Sequence, residues 1–96
     1  MKARLVFRFR DVHGGVTVEM VIWELPQPTV ARPHGLKYRL FCGKDGRCVV
    51  RYDNETGKGD HRHYGHREEA YQFESIEQLI ADFRADCERR AGWVWT

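Results

Sequence analysis

The chain has 96 residues, a formal net charge of +2 and a hydrophobic fraction of 42%. This length fits one small domain covering residues 1–96, and the apolar content excludes a disordered chain. The sequence has no apolar run long enough for a membrane span, and its first residues lack the apolar core of a signal peptide. We therefore expect a cytoplasmic protein without membrane contact, whose small core leaves room only for a shallow surface site.

Two segments of alternating polarity open the chain and predict a β-hairpin. The first covers residues 2–10 and the second residues 16–23, with the turn signal Gly14-Gly15 between them. The cations of the first segment should share one face of the strand; they are Lys2, Arg4, Arg8 and Arg10.

Two further alternating segments, residues 36–42 and 48–53, predict a third and a fourth strand around a turn at residues 43–46. Three prolines before them mark an extended connection that ends at Gly35. Lys37 and Arg39 should share one face of the third strand. Residues 70–73 could add a short fifth strand.

The last element is predicted to be a helix. Ser75 is a good N-cap, Gln78 follows it at the spacing of a capping box, and Gly92 is a plausible stop. Apolar residues recur at helical spacing from Ile76 to Cys87. We therefore expect an α+β domain, in which a four- to five-stranded antiparallel meander sheet is covered on one face by the C-terminal helix. The uncovered face would carry Arg4, Arg8, Arg10, Lys37 and Arg39.

The segment at residues 52–63, predicted to be a loop, is the richest in groups that move protons or bind phosphate. If it is locally extended, His61 and His63 project from one side and Arg62 from the other. RNA cleavage without a metal needs a base, an acid and a cation beside the phosphate. The two histidines suit the first two roles, and Lys58 and Arg62 suit the third.

Other interpretations of this segment stay open. Its histidines fit an ordinary solvated loop, and with His66 and either Asp53 or Asp60 they could hold a metal ion, although the spacing matches no standard zinc pattern.

The neighbouring polar residues also need a role. Asp53 and Asn54 are expected to shape the turn by binding backbone amides, and Asp60 could orient a nearby histidine. Gly57 and Gly59 would allow a sharp turn or a close approach of the backbone to a ligand.

Several motifs, in this order along nearly the whole chain, carry a family resemblance. They are EMVIW (19–23), PHGLKYRL (33–40), YDNE (52–55), GKGDHRH (57–63), YQF (71–73) and LIADF (79–83). In these motifs the chain resembles the TumE family of toxins from bacterial type II toxin–antitoxin pairs, and GKGDHRH is the most specific of them.

The resemblance implies a toxin encoded beside a helix-turn-helix antitoxin, and RNA cleavage is the usual activity of such toxins. We therefore predict a ribonuclease that needs no cofactor, with catalytic residues His61, His63, Lys58 and Arg62. The residues predicted to bind RNA are Arg67, Lys37, Arg39 and Arg8. A non-catalytic module that binds nucleic acid or protein and a metal-dependent phosphodiesterase are the alternatives, and a homodimer is left open.

Overall fold

A computed structural model of the chain describes residues 2–55 and 58–95. Within these residues, six strands form one antiparallel meander sheet in chain order, and one helix follows them. The elements are β1 (Arg4–His13), β2 (Val16–Glu24), β3 (Leu36–Lys44), β4 (Arg47–Asp53), β5 (His61–Tyr64), β6 (Arg67–Ala70) and α1 (Ile76–Ala91). The α+β class, the antiparallel meander and the C-terminal helix on one face are confirmed.

The predicted strand count of four to five is too low. Residues 61–64, expected to lie in a loop, form β5, which pairs with β4 and with β6. The expected strand at residues 70–73 is wrong, because β6 ends at Ala70. These two strands, HRHY and REEA, have no apolar alternation, so only their pairing with β4 and with each other reveals them.

The helix begins and ends where the sequence predicts. Ser75 Oγ accepts a hydrogen bond of 3.0 Å from the Gln78 N–H, and Gly92 adopts the left-handed conformation with φ 70°. The Gly92 N–H donates to the last turn of the helix, as a C-terminal glycine commonly does. The Gln78 side chain binds Asp82 and so does not complete a capping box. None of the described helical segments is long and apolar enough to span a membrane.

The core lies between the helix and one face of the sheet. Its fully buried side chains include Val18, Ile22 and Leu40 from the sheet and Leu79 and Phe83 from the helix. Burying each such side chain contributes about 1.5–3 kcal/mol, so this interface holds the helix in place.

Polar side chains also join the helix to the sheet. The buried Asp86 carboxylate in α1 accepts hydrogen bonds from the hydroxyls of Tyr52 (2.5 Å) and Tyr64 (2.7 Å). Burial and the hydrogen bond to Asp86 both raise the pKa of Tyr52. The carboxylate also contacts Arg89, so its charge is compensated inside the domain.

The tryptophans of the C-terminal segment pack against the same side of the molecule. Trp93 is buried, and the Trp95 ring lies 5.9 Å from the Phe9 ring and 4.6 Å from the Arg84 guanidinium. A free aromatic tail would have indicated an interface. The packed tail gives no such indication.

The other face of the sheet, away from the helix, is here called the open face. The register of the strands places these residues on it: Arg8, Arg10, Val21, Trp23, Lys37, Arg39, Phe41, Arg51, Asp53, His61 and His63. Arg4 was expected among them, but a β-bulge between Leu5 and Phe7 shifts the register, so that Arg4 lies opposite Glu24 and binds it at 2.7 Å.

Candidate active site

Two histidines of β5 lie side by side on the open face, opposite two charged residues of β4. The register places His61 against Asp53 and His63 against Arg51. The two imidazole rings are 4.9 Å apart between centroids and meet at 72°. The spacing of the histidines in the sequence predicted this shared face, and the strand pairing adds the residues of β4.

His61 is held by two hydrogen-bond acceptors. Its Nδ1 lies 2.8 Å from the Gly59 carbonyl oxygen, which can only accept. Its Nε2 contacts Asp53 Oδ1 in an ion pair rather than an aligned hydrogen bond. Both residues are buried, at 4% and 2% exposure. Because neither partner supplies a hydrogen, both ring nitrogens of His61 are placed to donate.

His63, in contrast, has a hydrogen-bond donor beside it. Its Nε2 lies 3.1 Å from Arg51 Nη2, and a guanidinium can only donate, so this nitrogen accepts. The proton of the neutral ring is then on Nδ1, which lies 3.6 Å from Glu68 Oε2. Burial, followed by the charge of Arg51, lowers the pKa of His63 below its usual value. The two neighbouring rings thus differ in their partners: His61 faces acceptors, and His63 faces a donor.

Further charges border the pair. Arg51 Nε lies 2.9 Å from Asp53 Oδ2, and Lys58 Nζ lies 3.5 Å from the Glu68 oxygen that faces His63. The Lys58 side chain is 57% exposed, so it is free to turn toward a bound anion. The site therefore holds a buried charge pair with exposed cations at its margin.

Cations extend from the site across the open face. Three of the residues predicted to bind RNA lie here; they are Arg8, Lys37 and Arg39. Arg39 is directly opposite Asp53, and its guanidinium lies 5.2 Å from the centre of the Phe41 ring. Two adjoining clefts of about 380 Å³ and 250 Å³ follow this strip. They agree with the expected shallow surface site.

Arg62 and Arg67 do not join the histidines, because the register places them on the helix side of the sheet. Arg62 Nε donates to Glu69 at 2.7 Å, and its guanidinium also lies over the Tyr64 ring. The Arg67 guanidinium lies 5.2 Å from the same ring. Alternation along β5 directs Arg62 away from the histidines, as expected for an extended segment, and this orientation does not support its predicted catalytic role beside them.

Asp60 and Asn54 have structural partners. Asp60 Oδ1 accepts from the Tyr38 hydroxyl at 2.7 Å and lies 3.0 Å from His34 Nε2, so the histidine that Asp60 orients is His34. Asn54 bonds the backbone of β3 at Tyr38 N and Leu36 O, in line with its expected role. Gly57, expected to allow a sharp turn, lies outside the described residues.

Sequence reasoning gave an incomplete account of three residues of the site. Asp53 was given a role in the turn and a place among the possible metal ligands, whereas Arg51 and Glu68 were not considered for the site. The signal for the first two is the repeated spacing Arg51-x-Asp53 and His61-x-His63, which puts all four side chains on one face once β4 and β5 pair.

A metal ion could be held by Asp53, His61 and His63. One ligand atom of each lies within 4.8 Å of the others, in a set of two histidines and one carboxylate that suits divalent transition metals. His66 and Asp60, the other expected ligands, are not in this group. The metal interpretation therefore keeps a plausible ligand set, smaller than the predicted one.

The fold and the site together define a small α+β domain with a histidine-centred, cationic site on an uncovered sheet face. Residues 2–91 match the family model described as Toxin TumE, and the chain belongs to this family. Comparison with curated proteins and with solved structures found no significant match. Membership confirms the resemblance in the sequence and gives the chain a role as a toxin, which suggests an antitoxin partner.

Proposed function

We propose that this toxin is a metal-independent ribonuclease whose centre is formed by His61, His63 and Arg51. The observation that carries the proposal is the contact between two imidazoles with opposite partners. His61 faces two acceptors, which suits a proton donor, and His63 faces a donor, which suits a base. Paired groups whose environments favour different protonation states are typical of acid–base sites.

In the proposed reaction, a phosphate of the RNA binds Arg51 and draws its guanidinium away from His63. The freed Nε2 of His63 then takes the proton of the ribose 2′-hydroxyl, and the 2′-oxygen attacks phosphorus. The bond from phosphorus to the 5′-oxygen breaks, and His61 donates its Nδ1 proton, which leaves the Gly59 carbonyl, to that oxygen while Asp53 holds Nε2. The products are a 2′,3′-cyclic phosphate and a 5′-hydroxyl. Arg51 and Lys58 offset the charge that develops on the phosphorane.

Asp53 and Glu68 would keep the two rings in place during this reaction. Asp53 contacts Nε2 of the His61 ring, and Glu68 faces the Nδ1 proton of His63. Neither carboxylate need accept a proton. Each fixes the orientation of a ring and stabilises its protonated form, as carboxylates do beside catalytic histidines.

The cations of the open face are proposed to track the RNA backbone. Arg8, Lys37 and Arg39 lie on this face, and no carboxylate among the described residues forms an ion pair with them, so their charge is available to phosphates. Binding of this kind weakens as salt rises. Arg62 and Arg67, on the helix side, are not assigned contacts with RNA in this proposal.

The test is RNA cleavage by the purified toxin in the presence of a chelator, with mapping of the new RNA ends. The variants His61→Ala and His63→Ala should each lose at least about 100-fold in rate, the range expected for an acid or a base. His13→Ala, at the exposed end of β1, is the matched control and should cleave like the parent. Full activity of both site variants would refute the assignment.

A second candidate function, a metal-dependent phosphodiesterase, is favoured by the ligand set of Asp53, His61 and His63. It predicts that a chelator abolishes cleavage and that a divalent metal restores it, whereas the leading proposal predicts cleavage in the chelator. A toxin that inhibits growth without producing new RNA ends would be a non-catalytic binding module.

The expected partner is a helix-turn-helix antitoxin encoded next to the toxin. In this proposal it neutralises the toxin by covering the open face and excluding RNA from the histidines. Hydrogen exchange of the complex tests this point, because amides of β4 and β5 should gain protection on binding. Protection confined to the helix side would contradict it.

A further inference from the structure

A tryptophan of the open face has no part in the proposed reaction. Trp23 in β2 is half-buried, with Leu5 and Lys37 as its cross-strand neighbours. The other two tryptophans pack near the helix. Trp23 therefore places a large flat ring among the cations of the open face.

Trp23 lies where the two clefts of this face meet. Both clefts are lined by Val21, Trp23 and Arg39. The larger one adds Arg8 and Arg10, and the smaller one, of about 250 Å³, adds Lys37, Asp53 and Glu55. The smaller cleft thus joins the indole ring to Asp53, the residue that holds His61.

The lining of the smaller cleft suits a base better than a phosphate. The exposed carboxylate of Glu55 repels an anion, but it can accept hydrogen bonds from the amino and imino groups of a base. The indole offers a stacking surface, and Arg39 and Lys37 at the edge offer charge to the neighbouring phosphates. Duplex RNA keeps its base faces stacked inside the helix, so it cannot use such a cleft.

The distance from Trp23 to the histidines fits a single strand of RNA that crosses the sheet. From β2 to β5 there are three strand spacings, or about 14 Å at ~4.8 Å each. Arg39, Asp53 and His61 lie in one cross-strand row along this path. A strand with one base at Trp23 would therefore pass the Arg39 guanidinium before its scissile phosphate reaches His61 and His63.

We propose that the cleft between Trp23 and Asp53 binds one unpaired base of single-stranded RNA, stacked on the indole, and so sets where the strand is cut. This inference deepens the ribonuclease proposal and rests on it for the position of the cut. The stacked base itself requires only binding, which can be measured separately.

The experiment measures the affinity of the toxin for a single-stranded oligonucleotide with 2′-O-methyl groups, which cannot be cleaved by attack of the 2′-oxygen. Stacking of a base contributes about 1–3 kcal/mol, so Trp23→Ala should weaken binding about 5- to 150-fold. Trp23→Phe should retain part of the affinity, because it keeps a ring. Val12→Ala, an exposed apolar residue on β1, is the matched control and should bind like the parent.

Several outcomes would overturn the base site. These are equal affinity of Trp23→Ala and the parent, or equal affinity of the parent for a duplex of the same sequence. Loss of antitoxin binding alone in Trp23→Ala would make this surface a protein interface and would also overturn it. If Trp23→Ala does not fold, the ratio between parent and Trp23→Phe decides, and a ratio of one overturns it. Trp23-dependent binding without cleavage of any RNA would instead refute the ribonuclease and leave the base site in place.

Discussion

Replacing Asp53 with asparagine should destabilise the fold by about 3–5 kcal/mol, because it removes one partner of a buried ion pair. Asp53 and His61 are 2% and 4% exposed, so water does not replace the lost charge. At an effective dielectric constant near 20, the Arg51 guanidinium at contact distance attracts the carboxylate by about 4 kcal/mol. Asp53→Asn leaves Arg51 and His61 facing each other without an anion.

Replacing the other partner, His61, should destabilise the fold less. His61→Gln leaves Asp53 beside Arg51, whose Nε lies 2.9 Å from Oδ2, so the carboxylate keeps one cation. We expect a loss of about 1–3 kcal/mol, the cost of an unsatisfied buried group. In the double variant the coupling between the two positions should be about 2–3 kcal/mol, since each single change already removes the pair.

The assay is urea unfolding at pH 7, followed by tryptophan fluorescence and extrapolated linearly to water. Glu19→Gln is the matched control, because Glu19 is paired with Arg10 at 3.9 Å on the surface, with 43% and 65% of the two side chains exposed. It should cost at most about 1 kcal/mol. If the Asp53 and His61 changes add within about 0.5 kcal/mol, or if Asp53→Asn costs no more than Glu19→Gln, the pair is not a buried ion pair and the reasoning fails.

Three further predictions concern the general base His63, the cations proposed to bind RNA and the hydrogen bond from the sheet to the helix. Burial and the charge of Arg51 lower the pKa of His63, so its neutral form persists as pH falls below 6.5. The acidic limb of the pH profile of kcat/KM should therefore lie below that value. Arg51→Gln should move any residual limb to higher pH, and an unmoved limb would contradict this. Arg39→Gln should reduce the slope of log affinity for RNA against log salt by about 1, whereas Arg67→Gln, on the helix side, should leave it unchanged. Equal slopes for both variants would contradict the proposal that RNA binds the cations of the open face. Tyr64→Phe should lower the free energy of unfolding by about 1.5–3 kcal/mol, because it removes a hydrogen bond to the Asp86 carboxylate, and a cost near zero in urea unfolding would exclude this link.

The sequence allowed the prediction of β1 to β4 and α1 because each of them contributes apolar residues to one core at a regular period. Val18, Met20 and Ile22 occur at every second position, whereas Leu79 and Phe83 are four apart. β5 and β6 gave no such signal. Their side toward the helix is formed by polar and aromatic residues such as Arg62 and Tyr64, so polarity does not alternate along them.

The site was only half predictable for a related reason. The separation of His61 and His63 by two residues is local, and so it could be read from the sequence alone. The partners of these histidines come from other strands, and they depend on a register that opposes His61 to Asp53 and His63 to Arg51. A shift of one residue would have turned both β4 side chains toward the helix.

The two faces of β5 link the proposed chemistry to the stability of the fold. One face presents His61 and His63, and the other presents Tyr64, which donates to the buried Asp86 of α1. A short strand near the edge of a sheet has few neighbours to hold it, and acid–base groups need positions fixed to within a fraction of an ångström. The hydrogen bond from Tyr64 to Asp86 therefore supports the histidines from the side of the sheet that RNA does not reach. Weakening this hydrogen bond should lower the rate of cleavage more than the affinity for RNA, since the cations of β3 that bind the RNA strand remain in place.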